Sequence, residues 1–384
     1  MVLIEESLNR LINYIEQEEY KGFDPYDGLK SPFYKLPVLK SNKLLRFGFQ
    51  QVVKRFPINL RTLFFIPKGL NPVTLGLCIQ GYCNMAKANQ KNSDLYEEKV
   101  CYLIDKLEKL IPEGYSGACW GYDFDWEARY SKIPSYQPTI VATGIITNAL
   151  FIAYEVFQNK KAFDLCNSAC EFVLKDIKRT YDKDKDFCFS YSPFDYQEVF
   201  NASMKGVRLL AQVYSVTKRE ELKVEARKAT SFVVKHQRND GAWKYSNSKS
   251  GVLVDNYHTG YVLDCLDEFS KRTDDIEFDQ NIKKGFDYYV GNFFENDGMP
   301  KFYDNKSYPA DCTAAAQSML TLTRFGDISL ATKVAQWMII NMQDAKGYFY
   351  FRKFKSYTIK QSFMRWSNAW MFTGMSETLN FTSN

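Results

Sequence analysis

The sequence predicts an all-α protein, an (α/α)6 toroid of six buried inner helices ringed by six amphipathic outer ones, with an N-terminal arm. Three observations predict it. A loop rich in Gly, Asp and aromatic residues recurs at 117–126, 186–191, 240–245, 297–303 and 346–351. Its marker aromatics Trp120, Phe189, Trp243, Phe302 and Phe349 stand 69, 54, 59 and 47 residues apart, room for two helices and two connections. Each loop precedes a long apolar segment rich in small residues, and then a segment with a narrower apolar stripe. An earlier segment of the first kind at 72–89 brings the count to six, where a ring closes and an open solenoid has no reason to stop.

Taken in order, MVLIEESLNRLINYIEQEEY is acidic and amphipathic, which suits the sixth outer helix and excludes an ordinary signal peptide. Residues 20–70, with Phe23, Pro25, Pro32, Pro37, Arg55, Phe56 and Pro57, show little periodicity and predict an extended arm wrapping the outside. The expected division is therefore 1–70, helix and arm packed on the toroid, and 71–384, the catalytic toroid. Inner helices are predicted at 72–89 and then from near Pro138, Gln197, Asp255, Tyr308 and Lys360. Their outer partners fall near 94–111, 160–178, 218–237, 277–294 and 328–343. Segment 94–111 gathers Tyr96, Val100, Leu103, Ile104, Leu107 and Leu110 on one face, whereas 139–154 is apolar nearly all round, with Ala142, Gly144 and Ala149 interspersed.

Composition narrows the function. With 384 residues, 45% of them apolar, the chain can bury a sizeable core. Fifty Lys and Arg against 45 Asp and Glu give a net charge of +5, but the bases are scattered, so no nucleic-acid partner is expected. No apolar run is expected to reach the roughly 18 residues of a membrane span, which predicts no transmembrane segment and a cytosolic protein. The nine cysteines form no CxxC pair and read as reduced core thiols. Cys166 and Cys170 lie one helical turn apart, yet nothing nearby completes a tetrahedral set, so no metal is expected. No G-x-x-x-x-G-K-[ST], G-x-G-x-x-G, H-E-x-x-H or G-x-S-x-G motif occurs, and no cofactor is expected.

Over roughly residues 70 to 380 this repeat resembles the α/α-toroid superfamily, which includes terpenoid cyclases, protein prenyltransferase β subunits, polysaccharide lyases, glucuronyl hydrolases and sugar 2-epimerases. More closely, Cys119-Trp-Gly-Tyr-Asp-Phe-Asp-Trp126 with Pro138-Thr-Ile-Val-Ala-Thr143 and Asn148-Ala-Leu is similar to a group of proteins encoded in bacterial surface-polysaccharide loci. That resemblance implies a polysaccharide-related role, with polysaccharide-assembly proteins as partners. The δ-aminolevulinate dehydratase label carried in that group finds no support here, since no alternating strand pattern of a β/α barrel exists.

In such a ring the inner-helix N-termini and the loops before them line a funnel whose unpaired amides favour anionic groups. Three clusters fall there. The first, Trp120, Tyr122, Asp123, Asp125, Trp126, Arg129 and Tyr130, combines aromatic faces for sugar rings, carboxylates for hydroxyls and a guanidinium for a uronate or phosphate. Its plainer reading is a loop that plugs the ring. The second, Asn256, Tyr257, His258 and Tyr261, begins the fourth inner helix; His258 is one of two histidines, the other being His236. With Arg129 it resembles the Asn/His/Tyr/Arg set of toroid polysaccharide lyases, in which Asn and Arg neutralise a uronate, His or Tyr removes the C5 proton and Tyr protonates the leaving oxygen. Reprotonation on the other face would make a C5 epimerase. The plainer reading is Asp255 capping the helix and His258 satisfied by a carbonyl.

The third cluster, Asp311-Cys-Thr-Ala, resembles the motif of oxidosqualene cyclases, and Gln237-Arg-Asn-Asp-Gly-Ala-Trp243 looks like their Gln/Trp repeat; the plainer reading is an N-cap. Asp311 is a candidate general acid, and Asp123 or Asp125 facing it would make a glycosidase pair. Arg365, Trp366 and Asn201 add polar ring positions for substrate. The sequence therefore predicts an enzyme acting on an acidic glycan during surface-polysaccharide synthesis, by lyase or C5-epimerase chemistry. A glycosidase, a non-catalytic glycan-binding scaffold and a terpenoid cyclase-like enzyme are the alternatives.

Overall fold

The computed structural model describes residues 2–127, 132–249 and 251–383. Helix α1 (Val2–Gln17) is followed by the short α2 (Pro37–Ser41) and α3 (Lys43–Arg55). From there inner and outer helices alternate: α4 (Pro72–Ala88) and α5 (Ser93–Glu108), α6 (Ile140–Phe157) and α7 (Lys160–Glu171), α8 (Phe200–Thr217) and α9 (Glu220–Lys235), α10 (Asn256–Thr273) and α11 (Asp279–Asn292), α12 (Cys312–Arg324) and α13 (Ile328–Met342), ending on inner α14 (Trp370–Ser383). Each inner helix packs on the next, α14 returns to α4, and α1 packs on α13 and α14. The ring is closed, and the first helix of the chain is its sixth outer member.

Local chemistry explains where the inner helices begin. Asn71, Thr139, Asp255 and Asp311 cap α4, α6, α10 and α12 with side-chain oxygens that accept first-turn amides, each worth about 1 kcal/mol. Small residues let neighbouring inner helices touch: a Cβ on Gly144 would stand 2.7 Å from the Cβ of Lys205 on α8. The outer helices bury one face only, as α5 does with Val100, Leu103, Ile104 and Leu107. One expectation fails by length: α6 spans 18 residues and is apolar enough to cross a membrane, although 72% of it is buried in the ring.

The recurrent loops carry short antiparallel strands: β1 (Trp126–Glu127) with β2 (Lys132–Ile133), β3 (Arg179–Tyr181) with β4 (Phe187–Phe189), and a sheet ordered β5 (Ala310–Asp311), β6 (Tyr350–Lys353), β7 (Thr358–Ser362). Their glycines press on the outer helix of the following repeat. Gly298 at φ 85° meets Lys333 of α13, and Gly347 at φ 99° meets the carbonyl of Arg10 in α1, so the repeat runs through the chain terminus.

The arm departs from expectation. Residues 20–70 do not wrap the outside as an extended strap; they fold into α2, α3 and tight turns and bring Tyr26, Lys54 and Arg55 to the mouth of the ring. A backbone bridge between Gly22 and Gly69 closes the arm at its base. Arg61, fully buried, donates to Asp27 (2.9 Å), to the Asp24 carbonyl (2.6 Å) and to Gln361 (2.8 Å). Asp24 accepts two bonds from Arg365, at 2.7 and 2.9 Å. The Arg61–Gln361 and Arg365–Asp24 pairings lie 300 or more residues apart in sequence, beyond the reach of any local pattern.

Candidate active site

A cavity of about 380 Å³ opens among the N-terminal ends of the inner helices, under the arm. At its wall, Asp255 does two jobs. One carboxylate oxygen accepts the His258 amide as an N-cap (3.0 Å), and the other lies 2.7 Å from His258 Nδ1. With Nδ1–H donated to Asp255, Nε2 carries the free lone pair, and the ring packs between Tyr257 and Tyr245, at 4.0 and 4.6 Å between centroids. The expected Asp255 cap is present, and the His258 ring meets the Asp255 carboxylate in place of the expected carbonyl. Burial pushes the Tyr257 and Tyr261 phenols well up, so at neutral pH they are proton donors.

Cations line the same cavity. A wide π-type turn over Met364–Ala369 carries Arg365 and Trp366 into the wall, a place where such turns often accompany functional groups. Arg352 donates from Nε to Asp311 (2.5 Å) and stacks on Phe302 and Phe351, at 4.6 and 4.7 Å from the ring centroids. Its terminal nitrogens have no protein partner among the described contacts. Lys54 stands 3.8 Å from the Tyr26 ring centroid and meets no carboxylate among the described residues. Burial and the nearby Arg352 charge hold its ammonium well below the ordinary lysine range. Arg55 lines the mouth, and Asn201 is buried with its Oδ1 unpartnered. The cavity thus offers one imidazole base, phenolic donors and cations with unused capacity for an anion.

Of the residues singled out from sequence, Tyr122, Trp126, Asn201, Tyr257, His258, Tyr261, Arg365 and Trp366 line this cavity. Others do not. Trp120 is fully buried and donates from Nε1 to the Leu107 carbonyl, and Trp243 does the same to Val233; both finish the core above an outer helix. Asn256 accepts from Tyr289 and Ser318 in the interior, so it holds a helix junction and no ligand. Asp123 is taken up by Lys30 (2.8 Å) and Asn71 (2.7 Å), and Asp125 by Lys132 and the Ser135 amide. Asp311 is fully buried and accepts from Arg352, Trp366 and the amides of Thr313 and Ala314, which occupies its lone pairs and leaves it no acid role. The three aspartates therefore do not form the expected facing pair. Arg129 and Tyr130 lie outside the described residues.

Tyr26, Lys54, Arg352, Tyr191 and Tyr245 are lining residues that sequence reasoning missed. For two of them a signal existed. The marker aromatics Trp120, Phe189 and Trp243 point into the core, and the residues two further on, Tyr122, Tyr191 and Tyr245, line the cavity. The same two-residue step from a core aromatic to a lining tyrosine recurs in three loops, so the repeat itself carries the lining position.

Ring and cavity together define a single-ring (α/α)6-toroid protein. No protein-family model matches the chain, and no curated protein sequence matches it. Among solved structures it is similar to cellobiose 2-epimerase from Bacillus thermoamylovorans B4167, at 12% identity and a TM-score of 0.62, over 83% of this chain and 89% of that one. A sugar epimerase from a ruminal bacterium aligns at 10% identity and a TM-score of 0.64, over 83% and 90%. A family 76 glycoside hydrolase from a bovine Bacteroides thetaiotaomicron strain aligns at 7% identity and 0.63, over 99% of this chain and 77% of that one. At such identities the likeness is one of fold.

Proposed function

We propose that the protein is a carbohydrate-active enzyme that removes a proton from carbon in an acidic sugar, as a lyase or C5 epimerase. The observation that carries this reading is the His258–Asp255 dyad, set in an aromatic cavity that also holds cations lacking full protein partners. Arg352 and Lys54 would hold the sugar carboxylate, and the charge that develops on proton removal would spread onto it. His258 Nε2 would take the proton, with Asp255 stabilising the imidazolium that forms. Tyr257 or Tyr261 would donate, either to a leaving oxygen or to the opposite face of the carbon. Asn201 and Arg352 would fill the places that the lyase resemblance gave to Asn256 and Arg129. Sugar enzymes among the solved structures that share the fold support a carbohydrate substrate. A role in surface-polysaccharide assembly, in the cytosol, belongs to the same proposal, and nine unpaired cysteines support a reducing compartment.

The test is to incubate the wild type and His258→Ala with uronate-containing oligosaccharides and neutral controls in deuterated water, followed by mass spectrometry. Deuterium gain without cleavage marks an epimerase, and an unsaturated product marks a lyase. Either signal should fall by about a hundredfold or more in His258→Ala. Hydrolysis with no deuterium at carbon would replace this reading with a glycosidase, and binding that survives the substitution without turnover would replace it with a scaffold. The terpenoid-cyclase alternative needed a dry apolar cavity below Asp311; Arg352, Lys54 and Asn201 make this one polar, and it is not proposed.

A further inference from the structure

Helix α3 buries Val53 and Gln50 against the protein; Gln50 exchanges bonds with the Glu127 backbone, at 3.3 and 3.1 Å, and Arg46 donates to the Glu127 side chain (2.5 Å). At about 100° per residue, Leu44 and Val52 fall on the opposite side, 80% and 50% exposed, and Phe47, 39% exposed, stands on the flank. The segment that follows continues the pattern, with Ile58, Leu63 and Phe65 each about two-thirds exposed. It is tied to the helix by the Phe49–Phe64 ring contact (5.0 Å). Large apolar side chains exposed on one helix and on the segment packed beside it mark an interaction surface.

Charge identifies the partner. No Asp or Glu occurs between Asp27 and Asp94, while residues 28–70 carry nine Lys and Arg. Four of these, Lys30, Arg46, Arg61 and Lys68, are paired with carboxylates from elsewhere in the chain. Arg55, on α3 itself, has no acidic partner among the described contacts and stands at the cavity mouth, whereas Lys54 is turned into the cavity over Tyr26. Aliphatic and phenylalanine anchors interspersed with unmatched bases suit an anionic bilayer surface, which takes the apolar chains into its interface and answers the bases with headgroup charge. Two copies set face to face would instead oppose base against base.

We propose that the outward face of α3 and the segment after it dock on an anionic membrane, seating the cavity mouth at the bilayer surface. The consequence is a substrate presented at that surface, as a saccharide carried on a lipid would be.

The experiment is sedimentation of the full chain with vesicles of phosphatidylethanolamine and phosphatidylglycerol, against vesicles of phosphatidylcholine alone, at low and raised salt. It reads binding and needs no turnover, so it stands or falls separately from the proton-transfer reading. The expected result is binding to the anionic vesicles that weakens with salt. It should fall by about tenfold or more in a Leu44→Glu, Val52→Glu double variant, since apolar burial and charge attraction are lost together. Because both side chains face solvent, its circular dichroism and thermal unfolding should match the wild type. Ile58→Glu with Leu63→Glu, in the separate segment, provides an independent pair should the helix variant misfold. Wild type that sediments with neither vesicle, or equally with both, overturns the proposal. So does a dimer in light scattering that the same substitutions dissolve, or salt-resistant binding unchanged in both double variants.

Discussion

At residue scale, the two jobs of Asp255 can be separated. Asparagine caps a helix as well as aspartate does, but it cannot stabilise an imidazolium. Asp255→Asn should therefore leave thermal stability near wild type and lower turnover by about a hundredfold or more, whereas Asp255→Ala should also cost about 1 kcal/mol in denaturant unfolding. Asp311 offers the contrast. Its four donors include the Arg352 guanidinium, so Asp311→Asn keeps the cap and strands a largely buried cation. The expected cost is about 2–3 kcal/mol in denaturant unfolding. A variant as stable as wild type would show that the pair contributes nothing to the fold. Neither role could be assigned from the bare motifs, because an N-cap, a base partner and an ion pair all use the same side chain.

At the scale of elements, the arm and the last inner helix form one unit. Arg365 leaves the π-type turn to hold Asp24, and Arg61 fastens Asp27 to Gln361 on β7. Such buried pairs are costly to break singly, so the arm is held by few but strong points. Asp24→Ala should speed hydrogen exchange of amides in residues 22–69 by about tenfold or more while inner-helix amides such as those of α6 keep their protection, since each 1.4 kcal/mol lost is tenfold in local opening. Uniform loss of protection across the ring would show instead that arm and ring unfold together. Three of the recurrent loops follow the same logic at smaller scale: each gives one aromatic to the core and another, two residues on, to the cavity.

At the scale of the whole molecule, the ring encloses charge as well as apolar surface. Beneath the cavity floor, the Lys205 nitrogen sits 3.8 Å from the Tyr261 ring centroid, and burial, then the neighbouring Arg208 charge, hold it down to about 7. Between about pH 7 and the ordinary lysine value near 10.4, the unfolded chain binds a proton that the folded chain does not, so this group makes stability rise with pH across that window. Below the window both states are protonated and the full cost of the buried charge remains. Lys205→Met should stabilise most near pH 6 and least near pH 10, a slope that thermal unfolding at several pH values would reveal or refute. Much of the architecture was legible in the chain. Inner and outer helices lie close to their predicted positions because apolar periodicity and capping residues act within a few neighbours, and α1 takes the outer place its amphipathic stripe implied; the exception is the last inner helix, which begins at Trp370 after a π-type turn, strand β7 taking its predicted start near Lys360. About half the candidate site was legible as well, where a lining residue sits at an inner-helix start or in a repeated loop, as His258 and Tyr122 do. What the sequence could not determine is which side chains meet. Lys54 reaches the cavity only because the arm folds over the mouth, and Arg352 because β6 pairs with β5; Asp123 and Asp311 leave it because donors distant in sequence claim them, and Asp125 because Lys132 and Ser135 do. Periodicity records whether a residue is buried by its own helix; the partner that satisfies its charge is chosen only when the ring closes and brings the two ends of the chain together.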